Sequence, residues 1–226
     1  MDIKSTPEIS VNPLAEYVVA TESRRRTIIR QQRKPSSFIV PRYRTARAAF
    51  SKYFVKGYDK SVLIDAIERL QTREQKSDWT KNDTANSILA LRHFLSLRFP
   101  FEGLKCRFSK PSVKSYTING VHVIISPDLI LEWERNGQKY VGAIKFFVKK
   151  TKTKTEMAYQ QGRIAASLLA DFVTRISAEG TTISKSHCLC IDVMNERIFP
   201  APETMLDDMV LVSDACEEIR INWLAS

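Results

Sequence analysis

Two side chains near the middle of the chain have types and spacing that suit joint chemistry: Asp128 and Lys145. Between them lies Asn136-Gly137, the strongest short signal for a tight β-hairpin, flanked by runs rich in β-branched and aromatic residues. If those two residues form the loop, Arg135 faces Gln138, Glu134 faces Lys139, Ile130 faces Ala143 and Asp128 faces Lys145. Side chains alternate along a strand, so Asp128, Ala143 and Lys145 share one face. The other face carries an apolar wall of Leu129, Leu131, Trp133, Tyr140, Ile144 and Phe146. A carboxylate and an ammonium beside such a wall can hold a metal-bound phosphate, or can form a plain cross-strand ion pair. The residues alone leave both readings open, the ion pair being the simpler.

Charge is the second chemical signal. The 226 residues carry 35 Lys+Arg against 25 Asp+Glu, a formal net charge of +10. It is unevenly spread. From Ser23 to Tyr58 come Arg24, Arg25, Arg26, Arg30, Arg33, Lys34, Arg42, Arg44, Arg47, Lys52 and Lys56, with no acid among them. A second basic stretch runs from Arg135 to Arg163, with Lys145, Lys149, Lys150, Lys152 and Lys154 against the single acid Glu156. From Asp192 onward the balance reverses, and acids face only Arg197 and Arg220. Arginine's planar fork suits phosphate, and aromatic residues (Phe38, Tyr43, Phe50, Tyr53, Phe54) are interleaved with the first stretch. Helical spacing makes several of those aromatics core residues first. A polyanionic partner is therefore expected over a merely solvated face.

Other chemistries are excluded or weak. No apolar run is long enough for a spanning helix, so no membrane partner is expected. The opening residues lack the build of a secretory signal, and four cysteines are too few and too irregular for a disulfide framework. A reduced, cytoplasmic setting is the expectation. Cys188 and Cys190 point to one side of a strand, but no second pair or nearby histidine completes a zinc set. His93, His122 and His187 are scattered over different elements, and no phosphate loop or nucleophile elbow occurs.

The elements that must position these groups divide the chain in two. Residues 1–12 read as an extended arm. The sequence LAEYVVATESRRRTIIRQQR predicts one or two short helices ending before Pro35. Pro41 can open the next, with Tyr43, Ala46, Phe50 and Phe54 at helical spacing. Asp59 caps a further helix with a stripe of Val62, Ile64, Ile67 and Leu70. REQKSDWTKND reads as a polar break, and Asp83 or Thr84 then starts a helix that buries Ile88, Leu91, Phe94 and Leu95. After Pro100 strands are expected at 105–108, 116–118, 121–133, 140–148, 187–193 and 197–199. An amphipathic helix at 155–176 carries Met157, Ile164, Leu168, Leu169, Phe172 and Ile176, and the tail from Thr204 reads as helical. The expected fold class is α/β (α+β mixed), with a central mixed β-sheet flanked by helices and preceded by an N-terminal helical region. The expected division is a basic helical region over 1–79 and an α/β domain over 80–226.

Pro127-Asp128, a hairpin, then a strand ending in a lysine and followed by an amphipathic helix: this order resembles the PD-(D/E)XK (restriction-endonuclease-like) nuclease superfamily, over roughly Thr84 to Phe199. The resemblance implies that Asp128 and a second acid hold Mg²⁺ on the scissile phosphate, while Lys145 helps activate water. The chain departs from the pattern at Ala143, which stands where the second acid belongs. Mg²⁺ needs near-octahedral oxygen ligation, and Asp128 alone should hold it weakly. Glu132, four residues along the strand, lies about 13 Å away and is too far. Glu156 is the first choice for a relocated carboxylate. The leading expectation is a nucleic-acid-binding protein, with DNA first, whose metal site has decayed. Its phosphate contacts are Arg24, Arg25, Arg26, Arg30, Arg33, Arg42, Arg44, Arg47, Lys149, Lys150, Lys152 and Lys154. One alternative is an active Mg²⁺-dependent endonuclease using Asp128, Lys145 and Glu156. Another is a protein-interaction subunit of a defence or mobile-element complex, docking an acidic partner or a second copy of itself.

Overall fold

A computed structural model describes residues 4–34, 42–148 and 156–224. The chain runs β1 (Glu8–Ser10), α1 (Val11–Val19), α2 (Glu22–Arg33), α3 (Arg44–Val55), α4 (Ser61–Gln71), α5 (Asp78–Ser96) and β2 (Arg107–Ser109). It continues through β3 (Ser115–Ile118), β4 (Val121–Ile124), β5 (Leu129–Arg135), β6 (Gln138–Phe147) and α6 (Glu156–Ile176). The last elements are β7 (Thr182–Asp192), β8 (Arg197–Pro200) and α7 (Leu206–Asn222). The fold class is mixed α/β, as the element pattern implied.

Five strands form the main sheet in the order β2-β5-β6-β7-β8. β5 and β6 are antiparallel across the Asn136-Gly137 turn, whose φ values of 53° and 74° are those a two-residue type I′ loop demands. The register is the expected one, from Arg135 opposite Gln138 to Leu129 opposite Ile144. β6 and β7 are parallel, which requires the crossover that α6 supplies. A smaller sheet, β1-β4-β3, stands beside it. Its edge strand comes from the arm expected to be extended: Glu8–Ser10 pairs in parallel with His122–Ile124, and helix α1 already begins at Val11.

Both faces of the main sheet are covered, so its strands alternate between two cores. Ile130, Val141, Ala143, Cys188 and Cys190 pack under α1, α6 and α7. Leu129, Leu131, Ile144, Phe146, Leu189 and Ile191 pack under α3, α4 and α5. The second core is largely aromatic: Phe50 stacks on Phe94 with ring centroids 4.3 Å apart, and Phe54 lies against Phe94, Phe99 and Phe146. Each such buried ring contributes about 1.5–3 kcal/mol of transfer free energy. Both cores draw residues from either side of position 80.

Three local expectations change. α5 starts at Asp78, inside the stretch read as a polar break, because the Ser77 side chain caps it by accepting from the Thr80 N–H at 3.2 Å. On α4 the buried stripe is Val62, Leu63, Ala66 and Leu70, while Ile64 is exposed. The single extended run expected at 121–133 is broken at Ile125–Asp128, where Ser126 takes φ 44° and turns the chain from one sheet into the other.

Candidate active site and nucleic-acid interface

The turn at Ser126 and the end of β6 build the acid–lysine site together. Asp128 stands just before β5, where the paired register ends at Leu129 opposite Ile144, and its backbone N–H donates to the Ile144 carbonyl at 2.8 Å, one residue out of step with that register. Its Oδ2 accepts from the Phe146 backbone N–H at 2.8 Å. Lys145 follows Ala143 on the face beneath α6, next to Cys190 of β7. Its ammonium donates to the Ser126 carbonyl oxygen at 2.5 Å. Asp128 and Cys190 lie close enough to Lys145 to act on its charge. Burial pushes the Lys145 pKa below the usual lysine range; Asp128 opposes that shift and Arg47 adds to it. Burial raises the Cys190 thiol well above its ordinary value and takes Cys188 up to about 12, so both are inert core residues.

The residue that decides the chemistry is Arg47. Arg47 is on α3, yet its Nη2 meets Asp128 Oδ1 at 2.6 Å and its Nη1 donates to the Phe146 carbonyl at 3.0 Å. The Asp128 carboxylate therefore has one oxygen on a guanidinium and the other on a backbone N–H. Each oxygen has one acceptor site taken, and a cation approaching it would meet a fixed positive charge. Ala143 is fully buried and supplies no oxygen. Glu156 sits exposed at the first residue of α6 and forms no hydrogen bond or ion pair among the described residues. Among the described residues no group of three or more His, Cys, Asp or Glu side chains is placed to hold a metal ion.

The arginines expected at phosphate divide into two sets. Four of them are held by acids. Arg24 pairs with Glu16 at 2.7 Å, Arg25 with Glu218 of α7 at 2.9 Å, Arg26 with Glu22, and Arg47 with Asp128. Arg25 also donates to the Tyr17 and Val18 carbonyls, which makes it a bracket between α1, α2 and α7. Arg25 and Arg47 are expected at phosphate from the sequence; in the fold each meets a carboxylate from a distant part of the chain. Arg33 ends α2 and is half-buried. Arg30, Arg42 and Arg44 are exposed and make no ion pair among the described residues, as is also true of Lys52 and Lys56. Lys149, Lys150, Lys152 and Lys154 lie outside the described residues.

The remaining candidates are structural. His93 Nδ1 lies 3.1 Å from the Met194 carbonyl, His187 Nδ1 lies 2.7 Å from Ser184 Oγ, and His122 is exposed on β4, so the three do not converge. The role of Arg47 is what sequence reasoning missed. Its one trace was an arginine one residue after buried Ala46 and three before buried Phe50, at the edge of a core-facing stripe. No family model matches the chain, and no curated protein matches it in sequence.

Proposed function

We propose that the chain is a nucleic-acid-binding protein, with DNA as its first expected ligand, built on a restriction-endonuclease-like domain that does not cut. The observation that carries this reading is a group of cations on and beside α3: exposed Arg42, Arg44, Lys52 and Lys56 form no salt bridge among the described residues, although Asp59 is near enough to Lys52 and Lys56 to feel their charge, and exposed Arg30 stands apart on α2, over the other core. A solvated surface usually mixes signs, and a one-sign surface attracts a polyanion over a distance set by the salt concentration. The nuclease-like ancestry is supported by Asp128 and Lys145 at the open end of the hairpin, near enough for Asp128 to act on the lysine's charge, with an amphipathic helix and a parallel strand following. Binding is favoured over cleavage because Ala143 brings no oxygen and Arg47 stands on the one remaining carboxylate.

The test is fluorescence anisotropy of a labelled DNA duplex and of its single strand, each with EDTA and with Mg²⁺ or Mn²⁺. Binding that needs no metal, with the DNA left intact, is the expected result. Metal-dependent cleavage that disappears in Asp128→Ala would replace this reading with the active endonuclease. No binding of either form at low salt would remove it altogether.

One observation favours a second reading, a protein partner or a second copy. Helix α7 exposes Leu206, Val210, Leu211 and Ile221, and Leu224 just beyond its end is exposed as well. Sedimentation velocity on the full chain at low and high salt decides whether that face self-associates.

A further inference from the structure

On the outer side of α3, α4 and α5, away from Asp128, is a groove of about 760 Å³. Its floor is apolar and made partly of small side chains: Ala48, Ala49, Val62 and Leu70, of which the last three are buried. Four cations from separate parts of the chain line it: Arg44 and Lys52 of α3, Arg69 of α4, and Arg73 from the connection that follows. Trp79, in the first turn of α5, exposes about a third of its surface there, at 36%. The one acid present, Asp83, is already engaged, since its Oδ1 accepts from the Tyr43 backbone N–H at 2.9 Å. None of the four cations forms a salt bridge among the described residues, and Arg69 donates only to the Asp65 carbonyl of its own helix.

Trp79 packs with most of its surface and leaves the rest open at the rim of the groove, where a flat apolar group could cover it. Four cations against the single Asp83 carboxylate leave the groove with a net positive charge that a bound anion would balance. A ligand that satisfies both has flat aromatic rings on an anionic thread. We infer that this groove binds single-stranded nucleic acid, with a base stacked on Trp79 over the Ala48–Ala49 floor. Arg44, Lys52, Arg69 and Arg73 take successive phosphates. The inference rests on the nucleic-acid reading above and assigns it a place and a strand form. In a duplex the bases are already stacked on one another, so Trp79 gains nothing from it and only the cations contribute.

The experiment titrates the full chain with a labelled oligo-dT of about 12 nucleotides, a duplex of equal length and heparin as a plain polyanion. Trp79→Ala is expected to weaken oligo-dT binding by about 5- to 150-fold, with little effect on the duplex or heparin. Arg69→Ala with Arg73→Ala is expected to flatten the slope of log affinity against log salt by about 1.4 for the single strand. Thermal unfolding of each variant establishes that the fold is intact, and Trp79→Phe, which keeps a ring, should retain part of the affinity. If both variants bind oligo-dT as the wild type does, the groove is not the site, while binding elsewhere on the protein still stands. If Trp79→Ala loses heparin and oligo-dT equally, the groove holds phosphate alone and base stacking is refuted. If the wild type binds no nucleic acid, the parent reading fails and this one with it.

Discussion

Replacing Arg47 with methionine removes the charge that sits on Asp128 while keeping an unbranched apolar stem. The two partners differ in exposure: 13% of the Asp128 side chain reaches solvent against 34% for Arg47. A fully buried pair costs about 3–5 kcal/mol when one partner is removed, and an exposed pair about 0–1 kcal/mol. Asp128 keeps its bond from the Phe146 N–H and its neighbour Lys145, so the expected loss lies between those limits, about 2 kcal/mol. For a chain of this length that corresponds to a Tm lower by about 4–8 °C. Asp128→Asn should cost less, because the guanidinium it leaves behind is the more hydrated partner. A double-mutant cycle with the Arg47→Met/Asp128→Asn protein, followed by thermal or urea unfolding, should return a coupling of about 1–2 kcal/mol. A coupling near zero, or an Arg47→Met protein as stable as the wild type, would refute the claim that Arg47 closes this site.

Lys145 gives a pH-dependent expectation. Its folded pKa lies below the unfolded one, so the folded state binds fewer protons between the two values and stability gained from this group rises with pH there. The stability difference between Lys145→Met and the wild type should therefore shift in favour of the wild type as pH climbs toward the ordinary lysine range; a difference independent of pH over that range contradicts the burial. Asp208 of α7 is 1% exposed, accepts a hydrogen bond from Ser167 Oγ at 2.7 Å and forms an ion pair with Arg163 at 2.7 Å, both on α6. Asp208→Ala should lower stability by about 3 kcal/mol in urea unfolding, with Asp208→Asn retaining part of it. A Cβ at Gly142 would sit 2.5 Å from the His187 backbone carbonyl, where β6 and β7 shift register. Gly142→Ala should cost about 1–3 kcal/mol, read as a fall in Tm, while Gly103→Ala, which meets no neighbour within 4 Å, should show only the smaller strain of its positive φ.

The hairpin was legible because its determinants are local. Asn136 and Gly137 tolerate the positive φ of a type I′ turn, the turn sets the register, and period-two alternation then assigns every side chain to a face. The expected register holds as far as Leu129 opposite Ile144, and Asp128 lies just beyond it, where its N–H reaches Ile144 instead of Lys145. The helices of the first hundred residues were legible from apolar spacing, with errors where the spacing was ambiguous. Leu63 and Ile64 are adjacent on α4, and only the packing against α3 and α5 decides which turns inward. The start of α5 hid in a polar stretch because a serine cap looks like a loop residue until the helix behind it is known. Charge pairing was the least legible property. Arg25 and Glu218 lie at opposite ends of the chain, as α2 and α7 do, and Arg47 meets Asp128 across both the helical layer and the sheet edge. A run of arginines in sequence gives the local charge but not which acids the fold brings to it.

Whether the remaining unpaired cations bind phosphate is decided most directly by salt. The observed affinity of the full chain for a labelled DNA duplex, measured by anisotropy between about 50 and 200 mM salt, should fall by about three decades if six phosphates are neutralised. That drop should appear with or without Mg²⁺. Affinity unchanged over the same range, or absent throughout, would contradict the account.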